Sequence, residues 1–236
     1  MTLGLILLTY NEIEGIKELW NQIPFDEFDE SFAVDGGSTD GTIDFFNKKS
    51  YSVKGQSRKG RGEAFRIAFS NSKSDVLIFY SPDGNEDPKD IVKIKNNFLK
   101  NTSLDLFIAS RMMKGAYNEE DGQLLKLRKW ANNIFNLFAN LFFNKNFSNN
   151  YITDSINGFR GFKRSSFNLL HLDAEGYTIE YQSTIRAFKN NMMIKEIPTI
   201  EGQRIGGESY AKSIPTGLKF IYCLVRELLI TDIINR

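Results

Sequence analysis

Several short polar segments combine residue types suited to phosphate, hydroxyl and metal chemistry. Thr9-Tyr10-Asn11-Glu12 and Asp35-Gly36-Gly37-Ser38-Thr39-Asp40-Gly41-Thr42 each follow an apolar run. In the second, glycines let the backbone turn and approach a ligand closely, Asp35 offers acceptors to a base or ribose, and Ser38 or Thr39 is placed to cap a following helix. Taken alone, that segment is more readily an ordinary strand–turn–helix than a ligand site. Lys59-Gly60-Arg61-Gly62-Glu63-Ala64 puts cations and glycines just ahead of a helical pattern. Unpaired N–H groups and the helix dipole favour a phosphate there, although Gly-rich basic turns are common. Ser81-Pro82-Asp83-Gly84-Asn85-Glu86-Asp87-Pro88 is dense in oxygen ligands. Hard cations such as Mg²⁺ or Mn²⁺, which bridge diphosphates, require that chemistry.

Arg111 follows an apolar run in Ala109-Ser110-Arg111, and Arg204 lies in Gly202-Gln203-Arg204-Ile205-Gly206-Gly207-Glu208-Ser209. A guanidinium grips phosphate through two parallel hydrogen bonds, but a lone arginine is more often a solvated charge. If an acceptor hydroxyl had to lose a proton, Asp154 and Glu180 are the carboxylates of the second half that would take it; surface or capping roles explain them equally well. His171, the only histidine, follows a helical pattern without a companion for a metal cluster or triad and reads as structural.

Strands are expected at Leu3 to Thr9, Phe32 to Asp35, Asp75 to Tyr80 and Leu104 to Ala109, because these are short apolar runs bounded by turns. Between them, Ile13 to Trp20, Thr42 to Lys48, Glu63 to Ser70 and Asp90 to Leu99 carry apolar residues at helical spacing. Repeated strand–helix order with near-continuous apolar strands predicts an α/β fold, a mostly parallel sheet flanked by helices with ligands at the carboxyl ends of its strands. The second half predicts a helix over Trp130 to Phe143, a strand over Gly158 to Lys163, a helix over Ile179 to Lys189, a strand over Met193 to Ile200 and a final helix over Leu218 to Ile234.

The 236 residues suffice for one well-packed domain, and 30 Lys plus Arg against 29 Asp plus Glu form no basic or acidic block, so nucleic acid is not an expected partner. The single cysteine, Cys223, excludes an internal disulfide and a Cys-cluster metal site. The N-terminus lacks a basic region and a small-residue cleavage site, and no run approaches the roughly 18 to 20 apolar residues of a spanning helix. A dehydrogenase is disfavoured because no Gly-x-Gly-x-x-Gly follows the first strand.

The order TYNE, VDGGSTDGT, KGRGEA, SPDGNEDP, ASR, NGFRGF and QRIGGES, running from Leu3 to about Tyr210, resembles the family 2 glycosyltransferases of glycosyltransferase-A (Rossmann-like) fold. Within them it is most similar to dolichyl-phosphate mannose synthase and related polyprenyl-phosphate sugar transferases. The resemblance implies an inverting hexosyltransferase. By it, Thr9, Tyr10, Glu12 and Asp35 line the nucleotide pocket with Gly60 and Arg61 nearby, Asp83 holds Mg²⁺ or Mn²⁺ under the donor diphosphate, and Ser110-Arg111 and Arg204 meet phosphates. The pattern usually reads Asp-x-Asp-x-Gln where this chain has Ser81, Asp83 and Asn85. The missing carboxylate weakens the case for a metal, although Asn85, Asp87, water and the diphosphate also carry oxygens. A further departure is Tyr210 where the family often has Lys, with Lys212 a substitute nearby.

The resemblance further implies a nucleotide-sugar donor, GDP-mannose or UDP-glucose foremost, and a polyprenyl or dolichyl phosphate acceptor. A hydroxyl acceptor and a catalytically silent nucleotide-binding protein are the alternatives. Such a lipid phosphate is already anionic near neutrality, so its attack requires no general base. In Trp130 to Phe143, residues Trp130, Ile134, Leu137, Phe138 and Leu141 share a face suited to a lipid interface, with Lys126, Arg128 and Lys129 beside it for anionic headgroups. For the last helix, packing against the domain is the preferred reading. The expected organisation is a catalytic domain over 1–210 and a C-terminal helix over 211–236 without a spanning segment, in a protein of the cytoplasm or peripheral on the cytoplasmic membrane face.

Overall fold

The computed structural model describes residues 1–206 and 213–230. Its first half alternates β1 (Leu3–Thr9), α1 (Ile13–Leu19), β2 (Glu30–Asp35), α2 (Thr42–Lys48), β3 (Val53–Gly55), α3 (Arg61–Asn71), β4 (Val76–Tyr80), α4 (Lys89–Lys100) and β5 (Leu106–Ser110). There follow α5 (Leu127–Phe143), β6 (Arg160–Lys163), α6 (Arg164–Leu169), α7 (Thr178–Lys189), β7 (Ile194–Pro198) and α8 (Ser213–Leu229). One sheet joins all seven strands in the order β3-β2-β1-β4-β6-β5-β7. Every pairing is parallel except those of β6, which runs antiparallel to β4 and β5.

Strand alternation divides the core. Ile6 and Leu8 of β1 face one apolar cluster with Phe65, Phe69, Phe79, Phe162 and Ile185. Leu3, Leu5 and Leu7 face the other with Ile16, Phe46, Ile91, Ile94 and Phe98. With both faces covered, β1, β4 and β5 are buried along their whole length, which is why they read as unbroken apolar runs.

The expected α/β architecture is present, with instructive differences. β3 is only three residues long and paired at the sheet edge, too short for a periodic signal. α5 buries Asn136, Asn140 and Asn144 and leaves Trp130, Ile134, Leu137 and Leu141 exposed, so its amide stripe faces inward. The amides bind the backbone of the segment leading into β6: Asn136 Nδ2 donates to Thr153 O, and Asn140 Nδ2 donates to Ile152 O at 2.8 Å while its Oδ1 accepts from Ile152 N at 2.9 Å. That coil has no strand partner for these groups, and buried backbone polar groups must be paired.

α8 packs one side, through Phe220, Cys223, Leu224 and Glu227, against α5 and α7. The preferred reading of the last helix therefore holds for one face, whereas Leu218, Ile221, Tyr222, Val225 and Leu229 remain exposed on the other. Ile234 lies outside the described residues. His171 is exposed just beyond the end of α6 with φ +46°, a left-handed turn position rather than part of a helix. Among the described residues no helix is long and apolar enough to cross a membrane.

Candidate functional site

The carboxyl ends of β1, β4 and β5 open onto a cavity of about 860 Å³, within the range of small-molecule sites. Thr9, Tyr10, Glu12, Gly60, Arg61, Ser81, Asp83, Asn85, Arg111, Glu180 and Arg204 all line it. Asp35 and Asp154 are absent from its lining.

Asp35 instead organises the turn after β2. Its carboxylate accepts from Thr9 Oγ1 at 2.8 Å, Gly37 N at 2.8 Å, Ser38 N at 2.7 Å and Ser38 Oγ at 2.6 Å, and only 1% of the residue is exposed. Neither Ser38 nor Thr39 caps α2, whose N-cap is Gly41; Asp40, one residue earlier, accepts from Ile13 N and Thr42 N, each at 3.0 Å. Lys59 Nζ donates to Tyr10 Oη at 2.9 Å and lies 4.7 Å from the centre of its ring, a flat cationic wall beside the β1 and β2 turns.

In the loop after β4, Asn85 N donates to Asp83 Oδ1 at 3.1 Å. Arg204 spans the site, donating Nη1 to Asp83 Oδ2 at 3.1 Å and Nη2 to Glu12 Oε1. The segment carrying it is tied to this loop by Gly202 N to Asn85 O and Ile205 N to Asp83 O, at 2.7 Å for the latter. Burial raises Glu12 to about 7 against the pull of Arg204, and Asp83 adds to the rise. Burial likewise lifts Asp83 above its ordinary range. A cation among these acids would lower both. Asn85 Oδ1 and Ser81 Oγ are buried without a hydrogen-bond partner, which suits hard-cation ligands supplied beside Asp83. No cluster of three acidic, histidine or cysteine residues able to hold a metal exists among the described residues, so the rest of any coordination shell must come from ligand and water.

Arg111 and Arg61 are held by acids. Arg111 gives Nε and Nη2 to Asp154 at 2.8 and 3.1 Å, and Nη1 to Glu201 Oε1 at 2.9 Å. Despite complete burial, Asp154 stays below the usual carboxylate range because Arg111 faces it. Arg61 opens α3 and forms an ion pair with Glu180 at the start of α7. Gly158 makes room for it: a Cβ there would lie 2.0 Å from Arg61 Nη2. The N-terminus of α3 is partly spent within the protein, as Gly62 N donates to Glu175 O at 2.9 Å and Gly60 N to Gln56 Oε1 at 3.1 Å.

Glu86, Asn157, Arg160 and Glu201 also belong to this region; the first three lie in the SPDGNEDP and NGFRGF segments, where the sequence alone assigns them no role, and Glu201 lies just outside any motif. Glu86 lines the cavity, accepts from Asn157 Nδ2 and is raised by burial to about 8. Arg160 is fully buried on neutral acceptors, including Asn157 O, Glu180 O and Ser183 Oγ, and the loss of solvation brings it down to about 10. Because β6 is antiparallel, its amino end enters the ligand edge of the sheet; a search confined to carboxyl ends passes over Asn157. Tyr210 and Lys212 lie outside the described residues.

On the α5 and α8 side the lining is mixed, with Leu125, Leu127, Ala131, Phe135 and Phe220 beside Gln123, Arg128, Asn132 and Thr216. The Phe135 and Phe220 rings, 5.3 Å apart, join α5 to α8 there. Leu125 and Leu127, which line the cavity, are themselves largely exposed.

Residues 5–170 match the family described as Glycosyl transferase family 2. The chain is 26% identical over 192 residues to Glycosyltransferase AglJ of Haloferax volcanii, covering 81% of this chain and 60% of that relative's length. It is 26% identical over 217 residues to the UDP-N-acetylglucosamine–dolichyl-phosphate N-acetylglucosaminyltransferase of Methanococcus voltae, covering 82% of this chain and 83% of that protein. Among solved structures, glucosyl-3-phosphoglycerate synthase from Mycobacterium tuberculosis in complex with Mn²⁺ and UDP-glucose resembles it with a TM-score of 0.73 at 20% identity, over 98% of this chain and 80% of that one. That likeness identifies the glycosyltransferase-A fold.

Proposed function

The chain belongs to glycosyl transferase family 2, and from that premise we propose that it transfers a hexose from a nucleoside-diphosphate sugar to a polyprenyl-type lipid phosphate presented at a membrane surface. The observation that supports this reading is a cavity lined by cationic and acidic groups at the strand ends and, on the α5 and α8 side, by Leu125, Leu127, Ala131, Phe135 and Phe220 with a few polar neighbours. A nucleotide diphosphate suits the former side and a lipid tail the latter. A uridine donor is favoured over GDP-mannose, because the Methanococcus relative is a UDP-N-acetylglucosamine-dependent transferase and the similar fold binds UDP-glucose.

Asp83 and Asn85, with Ser81 Oγ beside them, would hold Mg²⁺ or Mn²⁺ at the diphosphate. Bound there, the metal would supply positive charge for the departing nucleoside diphosphate. Arg61 and Arg204 face the same cavity and add cationic donors as negative charge grows on the leaving group. Arg204 leaves Glu12 and Asp83 to do so. Arg111, fixed by Asp154 and Glu201, presents a rigid guanidinium to the acceptor phosphate. Asp154 serves as its positioning residue: with no exposed surface and its oxygens on Arg111, it is badly placed to take a proton from an acceptor. A phosphate acceptor makes no such demand.

Incubation with labelled UDP-glucose, UDP-GlcNAc or GDP-mannose and a short-chain polyprenyl phosphate tests the proposal. Label in the lipid product from one donor supports it. Nucleotide-sugar binding without a lipid product from any donor refutes the acceptor.

A further inference from the structure

Arg111 lines the cavity from the turn after β5, yet much of what fixes it comes from the coil ahead of β6. Its Nε, Nη2 and Nη1 bonds to Asp154 and Glu201 use three of the five guanidinium N–H groups, and Arg111 N also donates to Asp154 Oδ2 at 3.1 Å. The direction of the two remaining N–H groups therefore depends on where the Asp154 carboxylate stands.

Asp154 is held in turn by Glu196 of β7, which does not itself line the cavity. Glu196 Oε1 accepts from Asp154 N at 2.8 Å, and Oε2 accepts from Thr153 N at 2.7 Å and Thr153 Oγ1 at 2.9 Å. One carboxylate thus gathers two consecutive backbone N–H groups that have no strand partner. A second connection leaves the same oxygen. Thr153 Oγ1 lies 2.7 Å from Ser110 Oγ, which accepts from Met112 N at 3.1 Å and Met113 N at 3.2 Å, so the residues on either side of Arg111 are tied to it as well. Glu196 grips Arg111 by two routes, through the carboxylate that binds the guanidinium and through the turn that carries it. The pairing of β7 with β5, where Ile108 stands opposite Glu196, supplies the fixed support. None of the three donors to Glu196 is charged, and filling the edge of the sheet does not require an acid. What a carboxylate adds here is two acceptors at the spacing of successive N–H groups.

We propose that Glu196 is a positioning residue for Arg111, setting the direction in which its remaining N–H groups meet the acceptor phosphate. The bearing on transfer rests on the acceptor reading above, whereas the effect on Arg111 itself does not.

Two readouts test this. The first is hydrogen exchange of the Arg111 Nε–H followed by NMR, which needs no substrate, with the Nε–H of Arg186, held by Glu227 at 2.9 Å, as the reference. In Glu196→Leu, which removes both acceptors, the Arg111 group should exchange about tenfold faster than in wild type while Arg186 stays within about twofold. Glu196→Gln keeps one acceptor and should lose about threefold; it carries the test should the leucine variant not fold. The second readout is the KM for a short polyprenyl phosphate, expected to rise about tenfold in Glu196→Leu, with kcat and the KM for the sugar donor each within about threefold. Equal acceleration of Arg111 and Arg186, or no change in either, makes Glu196 ordinary scaffold and overturns the proposal. So does a loosened Arg111 with an unchanged acceptor KM. Absence of transfer to any polyprenyl phosphate by wild type would instead overturn the acceptor reading, and the exchange comparison would still decide whether Glu196 positions Arg111.

Discussion

The outward face of α5 yields a prediction whose size follows from exposure. Trp130, Ile134, Leu137 and Leu141 are 50, 52, 43 and 57% exposed. Full burial of a large aliphatic side chain is worth about 1.5–3 kcal/mol, so each half-open residue should gain about 1 kcal/mol on entering a lipid interface. The double variant Ile134→Ser/Leu141→Ser should therefore lose about 2 kcal/mol of membrane affinity, roughly thirtyfold. Co-sedimentation with vesicles of mixed neutral and anionic lipid reads that loss directly. Lys126 and Lys129 are paired with Asp121, and Arg128 with Glu119. Added salt should consequently weaken binding much less than the serines do. Because the two side chains point away from the core, the unfolding free energy should move by less than about 1 kcal/mol. A folded double variant that binds vesicles as wild type does would refute the assignment of this face.

Restoring the missing carboxylate with Ser81→Asp should tighten Mn²⁺ binding in the presence of UDP by about tenfold, about 1.4 kcal/mol, in a metal titration; weaker binding would contradict the assignment of the Asp83 loop. Asn140→Leu should orphan the N–H and C=O of Ile152 and lower stability by about 3 kcal/mol, a fall of roughly 10 °C in Tm by calorimetry. Glu196 accepts from Thr153 N, Thr153 Oγ1 and Asp154 N, and burial raises it from 4.5 to about 7. The folded state therefore favours its neutral form, so its stabilising share is full below 4.5 and disappears as pH rises through 7, with an upper size of about 3 kcal/mol. Denaturant titrations from pH 5 to 8 should show wild type losing stability relative to Glu196→Gln, and parallel curves would contradict this.

The strand ends were readable because apolar β1, β4 and β5 stop abruptly in polar turns, and the cavity gathers those turns. Local spacing could not reveal how the turns use their own side chains. Asp35 resembles a ligand acceptor in sequence, yet four neighbouring donors occupy it. Arg61 and Glu180 stand far apart along the chain, and only the packing of α3 against α7 makes them a pair. Trp130 to Phe143 was visible as helical, but which side faced inward depended on the strandless backbone at Asn150, Ile152 and Thr153, which the α5 amides and Asn144 satisfy. The antiparallel direction of β6 left no periodic trace in four residues, so the NGFRGF segment was visible without showing that Asn157 reaches the ligand edge and meets Glu86.

The most direct measurement is a comparison of acceptors under one set of conditions: labelled donor with short polyprenyl phosphate, the matching polyprenol, or a water-soluble phosphate ester, each with Mg²⁺, Mn²⁺ or EDTA. The expected result is label on polyprenyl phosphate and none on polyprenol, because the phosphate supplies an anionic nucleophile and no exposed base is required. Equal transfer to polyprenol, or transfer to the soluble phosphate ester alone, would contradict a lipid-phosphate acceptor.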